Sequence, residues 1–228
     1  MEHVRLLDCE SPGRLLLENI CMEVDVGELV AIWGKRRSGR SSLLHLACGM
    51  AQPDGGVVRF DGRELRGPKA IGDGIAYCAG GFHLGTAWPV QRELVEVQLA
   101  RGVPRRHARR RALTALERAG AEDLAGRLLR TLRGAEQVRA MLALALTSEP
   151  RLLLVDDVVA GVELVERGAI LRLLRSLAED GLAVLTSTDE TPALAGAHRA
   201  LTLSEGRLHG RLAPELAEVV PLQASARA

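Results

Sequence analysis

Gly34-Lys35-Arg36-Arg37-Ser38-Gly39-Arg40-Ser41-Ser42 stands between two apolar runs, Leu29-Val30-Ala31-Ile32-Trp33 and Leu43-Leu44-His45-Leu46. A glycine-bounded loop between a strand and a helix matches the frame G-x-x-x-x-G-K-[ST]. In that frame successive backbone N–H groups and a helix N-terminus cradle phosphate groups. Gly34, Gly39 and Ser41 keep their places, whereas the lysine position holds Arg40. A lysine there is a compact, mobile ammonium that follows a transferring phosphoryl group, and the hydroxyl after it ligates Mg²⁺. Arg40 keeps the charge but carries it on a wider, planar fork. Arg37 stands where many such loops have glycine, so it is expected to crowd the loop and force an unfavourable backbone conformation. Taken alone, the segment also fits a plain glycine turn in any α/β domain.

A second constellation is Arg151-Leu152-Leu153-Leu154-Val155-Asp156-Asp157. A fully apolar strand that ends in carboxylates places them at the carboxyl edge of a parallel sheet, where ligands bind. In phosphate-loop proteins such an aspartate holds Mg²⁺. A simple strand-to-loop cap is the other reading. The segment before it, Leu132-Arg133-Gly134-Ala135-Glu136-Gln137-Val138-Arg139, lies in front of a helical pattern and then Glu149-Pro150.

The elements that must position these groups are legible as alternating patterns. Strands are expected near Arg5–Leu7, Leu15–Val24, Leu29–Trp33, Val57–Phe60 and Ile75–Cys78, separated by glycine-rich turns. From about Val90 to Leu129 the pattern is helical, with arginine-rich faces and breaks at Gly102-Val103-Pro104 and Ala119-Gly120. Strand and helix then alternate: helix Glu136–Thr147, strand Leu152–Val155, helix Leu164–Ala178, and strands Leu182–Ser187 and Leu201–Leu203. The outcome is an α/β chain with a β-rich start, a parallel core and an inserted helical lobe. It reads as a single domain over 1–228, with core about 1–80 and 136–210, lobe about 81–135 and a loose tail about 211–228.

Composition agrees with one compact domain. The 228 residues are 47% apolar, and the formal net charge is +1, so nothing in the balance calls for nucleic acid. The only lysines are Lys35 and Lys69. Cys9, Cys21, Cys48 and Cys78 have no metal-ligand spacing and are expected to be small core residues. No apolar signal region or run near eighteen residues is present, so a cytoplasmic chain is expected, reaching a membrane only through a partner. Arg105-Arg106-His107-Ala108-Arg109-Arg110-Arg111 reads as the solvated face of a lobe helix. Met50, His83 and Trp88 are expected to pack in core or lobe, and His45, His198 and His209 suggest no metal.

The order of phosphate loop, helical lobe, L-S-G-G-[QE]-like segment and aspartate-ended strand resembles the ATP-binding subunits of ABC transporters, over about Val4 to Gly210. Ser41-Ser42-Leu43-Leu44-His45-Leu46, Val57-Val58-Arg59-Phe60-Asp61-Gly62 and Gly134-Ala135-Glu136-Gln137 resemble the lipoprotein-releasing and macrolide-export type. The resemblance implies a P-loop NTPase fold with an N-terminal antiparallel β-subdomain. It also implies ATP with Mg, Ser41 and Asp156 as metal-holding residues, and a signature segment at Leu132, Arg133, Gly134, Ala135 and Glu136.

The family pattern fails at several chemical positions. The adenine-stacking aromatic is missing near Ser11–Gly13, and the glutamine after Ile75-Ala76-Tyr77-Cys78-Ala79 is Gly80. The signature serine is Arg133 and its second glycine Ala135. The water-polarising glutamate is Asp157, and the switch histidine is Thr188. The D-loop reads Ala160-Gly161-Val162-Glu163. Since phosphoryl transfer depends on positioning and electrostatics, intrinsic hydrolysis is expected to be very low or absent. The expected function is a degenerate nucleotide-binding subunit, peripheral on the inner face of the cell membrane. Its expected partners are a competent sibling ATPase and an integral membrane permease, and Arg133 is expected to clamp the γ-phosphate bound by the sibling. The alternative is a non-hydrolysing pseudo-ATPase with a structural or regulatory role.

Overall fold

The computed structural model describes residues 1–7, 15–67, 74–79, 87–190 and 196–210. The first half contains β1 (Glu2–Leu7), β2 (Leu15–Ile20), β3 (Leu29–Trp33), α1 (Arg40–Ala47), β4 (Gly55–Val57), β5 (Arg59–Phe60), β6 (Arg63–Glu64) and β7 (Ile75–Ala79). The lobe helices α2 (Val90–Ala100) and α3 (Arg105–Arg118) follow. Then come α4 (Gly134–Leu146), β8 (Leu152–Asp156), α5 (Leu164–Glu179), β9 (Ala183–Thr188), β10 (Arg199–Ser204) and β11 (Arg207–His209).

The central sheet runs β11-β10-β3-β9-β8-β7, parallel except for the β10–β11 hairpin. β3 is apolar throughout, β8 is apolar up to Asp156 and β9 up to Leu185, because both faces of a parallel sheet are covered. Alternation of side chains sends consecutive residues to opposite layers. Leu153 and Val155 join Val184 in the layer shared with α2 to α5, while Leu154 and Leu185 join Val30 and Ile32 against α1. On α1, Leu43, Leu44 and Leu46 are fully buried. Each contributes about 1.5–3 kcal/mol by leaving water. The core thus fixes the helix that follows the loop from Gly34 to Gly39.

A three-stranded antiparallel sheet, β2-β1-β4, covers the α1 side through Val4, Leu17 and Ile20. Two sequence expectations change here. The strand expected over Leu15–Val24 stops at Ile20, because its partner β1 runs out at Glu2. The strand expected over Val57–Phe60 divides at Val58. β4 pairs with β1, and β5 pairs with β6 in a separate ribbon.

Helices α2 and α3 break where Gly102-Val103-Pro104 predicts. Ala108, Ala112, Ala115 and Leu116 bury one face of α3, leaving Arg105, Arg106, Arg109 and Arg110 exposed. Gln98, which is buried, donates to Thr147 Oγ1 (2.9 Å) and accepts from Arg111 (3.4 Å), so one amide ties α2 to α3 and to the end of α4. The buried polar group is thereby satisfied, which a rigid lobe requires.

Three packing expectations are corrected. Cys48 and Cys78 are buried, but Cys21 is exposed, because it lies just past the end of β2. Met50 is exposed in the turn after α1. Trp88 is exposed before α2, with the Arg92 guanidinium 4.7 Å over its ring. Cys9, Ser11–Gly13, Gly80, His83 and the tail about 211–228 lie outside the described residues. Among the described residues no helix is long and apolar enough to cross a membrane.

If α1 is held by this core, Leu44→Ala lowers unfolding free energy by about 2–5 kcal/mol. Val165→Ala, at an exposed site on α5, stays within about 0.5 kcal/mol of the parent. Urea denaturation followed by circular dichroism measures both.

Candidate functional site

The carboxyl ends of β3, β8 and β9 meet on one edge of the sheet, with Trp33 paired to Thr188 and Asp156 paired to Ser187. The loop from Gly34 to Gly39 rises from that edge. Its first residue is anchored by the Gly34 N–H donating to the Thr188 carbonyl (3.2 Å), and an inner turn closes from the Ser38 N–H to the Lys35 carbonyl (3.1 Å). A Cβ on Gly34 would lie 2.8 Å from the Leu203 carbonyl oxygen, so only glycine allows this approach of two backbones. Gly39 precedes α1 at φ 97°, the left-handed region open to glycine. Arg37 has φ 66°, the unfavourable conformation expected of a side chain in that position.

The first-turn N–H groups of α1 have no carbonyl four residues back, and no acidic residue sits in that turn. Together with the helix dipole they make a positive cradle, with Lys35, Arg36 and Arg37 exposed on the loop and Ser41 exposed on the first turn. Ser38 Oγ is buried without a hydrogen-bond partner in the loop, and Ser42 is half-buried. Arg40 is buried. Its Nη2 lies 3.9 Å from Asp157 Oδ2 and 3.8 Å from Asp189 Oδ2.

Asp156, at the end of β8, is buried and accepts from two hydroxyls, Tyr77 (3.0 Å) and Ser187. The Tyr77 hydroxyl also meets His45 Nε2 at 3.1 Å. Burial first, then the Asp156 charge, push the Tyr77 phenol well above its ordinary range, so it stays a donor. Asp157 turns away at φ 50°, its N–H donating to the Ser187 carbonyl (3.1 Å). Burial raises its carboxyl above the ordinary range, and the Arg40 charge opposes that rise. Thr188 is buried, and its hydroxyl accepts from the Glu190 N–H (3.0 Å). The Trp33 indole holds the same turn by donating to the Asp189 carbonyl (3.1 Å).

The residues in place fit phosphate groups with Mg²⁺. The cradle is open and positive, Ser41 presents a hydroxyl, and a carboxylate with two donors still has free lone pairs for a metal-bound water.

The structure thus gathers Gly34 to Ser42, Asp156 and Asp157 at one edge. The signature segment is placed elsewhere, at the start of α4, which packs on α3, α5 and β7. Leu132 is a buried core residue. Arg133 precedes α4 in extended backbone and turns its guanidinium back on its own chain, donating to the carbonyls of Leu132 (2.7 Å) and Arg130 (2.9 Å). Gly134 takes φ 52°, Ala135 is half-buried, and Glu136 pairs with Arg127. Sequence reasoning missed Tyr77, Ser187 and Asp189 as members of the site. Ser187-Thr188-Asp189 carries the same signal as Asp156, polar residues closing an apolar strand.

A family model described as ABC transporter matches residues 17–160. The cell division ATP-binding protein FtsE of Escherichia coli (strain K12) is 29% identical over 209 residues, covering 89% of this chain and 94% of that protein. The macrolide export ATP-binding/permease protein MacB 1/2 of Paracoccus denitrificans is 28% identical over 202 residues, covering 85% of this chain and 30% of that protein. The chain therefore spans less than a third of MacB but nearly all of FtsE. Among solved structures, cbiO1 from Clostridium perfringens, described as part of the ABC transporter complex cbiONQ, matches with a TM-score of 0.84 at 22% identity. That match covers 94% of this chain and 88% of the other.

Ser187→Ala removes a buried donor to an ionised carboxylate and is expected to cost about 1.5–3 kcal/mol of stability. In an Asp156→Asn background the cost shrinks to about 1 kcal/mol, the worth of a neutral pair. A double-mutant cycle in urea checks the difference; equal costs in both backgrounds would contradict the pairing.

Proposed function

The chain belongs to the ABC transporter family, and from that premise we propose that it is a nucleotide-binding subunit that hydrolyses ATP poorly or not at all by itself. One observation carries this reading. The phosphate cradle between β3 and α1 is intact, while the cation beside it, Arg40, is engaged by Asp157 and Asp189. Backbone N–H groups of the loop and of the α1 first turn bind phosphates and need no particular side chains. Ser41 and Asp156 would hold Mg²⁺, which when bound neutralises charge on the outer phosphates.

The groups that orient and activate water are weakened. Asp157 is shorter than glutamate by one methylene and faces Arg40, and Thr188 replaces an imidazole with a hydroxyl already accepting from Glu190. Removing one well-placed donor typically costs about 10²–10³ in rate, and several such losses leave little turnover. A competent sibling subunit therefore supplies the hydrolysis, beneath a membrane permease. The description of cbiO1 as part of a transporter complex and of MacB as an ATP-binding/permease protein supports a permease partner. The second reading, a regulatory subunit without hydrolysis anywhere in its own sites, is favoured by Arg133. That guanidinium, although exposed, donates from Nη1 to carbonyls of its own chain, Leu132 and Arg130.

The purified chain is expected to bind nucleotide by calorimetry while releasing phosphate at background rate. Mg²⁺-dependent ATPase activity that disappears in Asp156→Ala would overturn the reading. Affinity purification of the tagged chain from its native membrane is expected to recover a second ATP-binding subunit together with a permease. A transport-competent complex containing only copies of this chain as ATP-binding subunits would refute the sibling partnership.

A further inference from the structure

Arg40 leaves the first turn of α1 and ends among carboxylates. Its side chain is only 9% exposed, with Nη2 at 3.9 Å from Asp157 Oδ2 and 3.8 Å from Asp189 Oδ2. Two buried atoms in this cluster, Arg40 Nη1 and Asp157 Oδ1, have no hydrogen-bond partner. The neighbouring acids are committed elsewhere: Asp156 accepts from Tyr77 and Ser187, and Glu190 pairs with Arg167. Among the described residues, Arg40 is the cation in contact with Asp157 and Asp189.

In a phosphate loop backbone N–H groups cradle the first two phosphates, and the side chain at this position reaches the last two of a triphosphate. Here the cation is already neutralised by two side-chain anions. The inner-phosphate cradle is unaffected, since it consists of loop and helix N–H groups with no acid in the first turn. A terminal phosphate brought to Arg40 meets Asp157 and Asp189 as like charges and must displace them. A diphosphate brings one phosphate fewer to that cluster and meets less of this repulsion.

We propose that Asp157 and Asp189 stand in for a terminal phosphate on Arg40, so that this site prefers a nucleoside diphosphate to the triphosphate. The proposal rests on the nucleotide-binding reading above and adds which nucleotide the resting chain selects. The stand-in keeps the buried guanidinium compensated when no nucleotide is present. It also makes triphosphate binding conditional on moving the turn after β9, to which Asp189 belongs.

The test is calorimetric titration of the full chain with Mg-ADP and with Mg-ATP, for the parent, Asp157→Asn, Asp189→Asn and the double variant. Circular dichroism melts report whether each is folded. Like-charge repulsion of this kind predicts that the parent binds ADP about tenfold or more tighter than ATP. The double variant is expected to tighten ATP by about tenfold while ADP shifts less than about threefold, and adding Arg40→Gln removes the gain. Should the double variant not fold, Asp189→Asn alone, at a one-third-exposed side chain, decides by the same ADP-to-ATP ratio. A parent that binds ATP as tightly as ADP, or neutral variants that tighten both nucleotides equally, would overturn the stand-in and leave nucleotide binding standing. Absence of binding by either nucleotide to every folded variant would sink both.

Discussion

The hydrogen bond from the Gly34 N–H to the Thr188 carbonyl marks where two strands stop being a sheet and the loop begins. Behind it, β3 lies between β9 and β10 with Trp33 beside both Thr188 and Thr202. Ahead of it, the chain must leave the sheet without a Cβ, because the Leu203 carbonyl stands too close for one. This crowding directs the loop over the sheet edge and sets α1 against β8 and β9. Had β3 been an edge strand, the loop would lack one of the two walls that fix its start. The position of every N–H in the loop and in the first turn of α1 therefore depends on backbone packing in the middle of a parallel sheet.

Two adjacent carboxylates at that edge are handled in opposite ways. Asp156 points into a polar pocket where two hydroxyls from β7 and β9 solvate its charge in place of water. Asp157, one residue on, reverses through left-handed backbone and pairs loosely with Arg40. The first is a finished arrangement, compatible with a Mg²⁺-holding role that needs an ionised, fixed oxygen. The second leaves one buried oxygen of Asp157 and one buried nitrogen of Arg40 without hydrogen bonds. Burial of incompletely paired charge is costly, so such an arrangement is poised to change when a better-matched ion arrives.

The helical lobe contributes to the site only at a distance. Gln98 joins α2, α3 and α4 by hydrogen bonds to Thr147 and Arg111, which makes α4 a rigid carrier for the segment at its N-terminus. That segment has the local features of a helix start, with left-handed Gly134 next to α5 and Glu136 in the first turn. Its arginine is directed at neighbouring carbonyls, because an extended residue just before a helix brings a long guanidinium within reach of the preceding turn.

Much of the site was legible in the residues themselves. The glycine spacing of the loop, the strain at Arg37 and the apolar strand ending at Asp156 follow from local backbone chemistry. So do the break between α2 and α3 and the solvated arginine face of α3, since helix periodicity and proline act over a few residues. What lay beyond the sequence were relations between segments far apart in the chain. Residues 40, 157 and 189 meet only because α1, β8 and β9 pack together, and Tyr77 and Ser187 reach Asp156 only through the register of β7, β8 and β9. The same holds for the exposed Met50, Trp88 and Cys21, whose surroundings are decided by where the neighbouring elements end. Local sequence determined which groups could bind phosphate; tertiary packing decided which of those charges are already spent on one another, because ion pairing depends on distance in space and not along the chain.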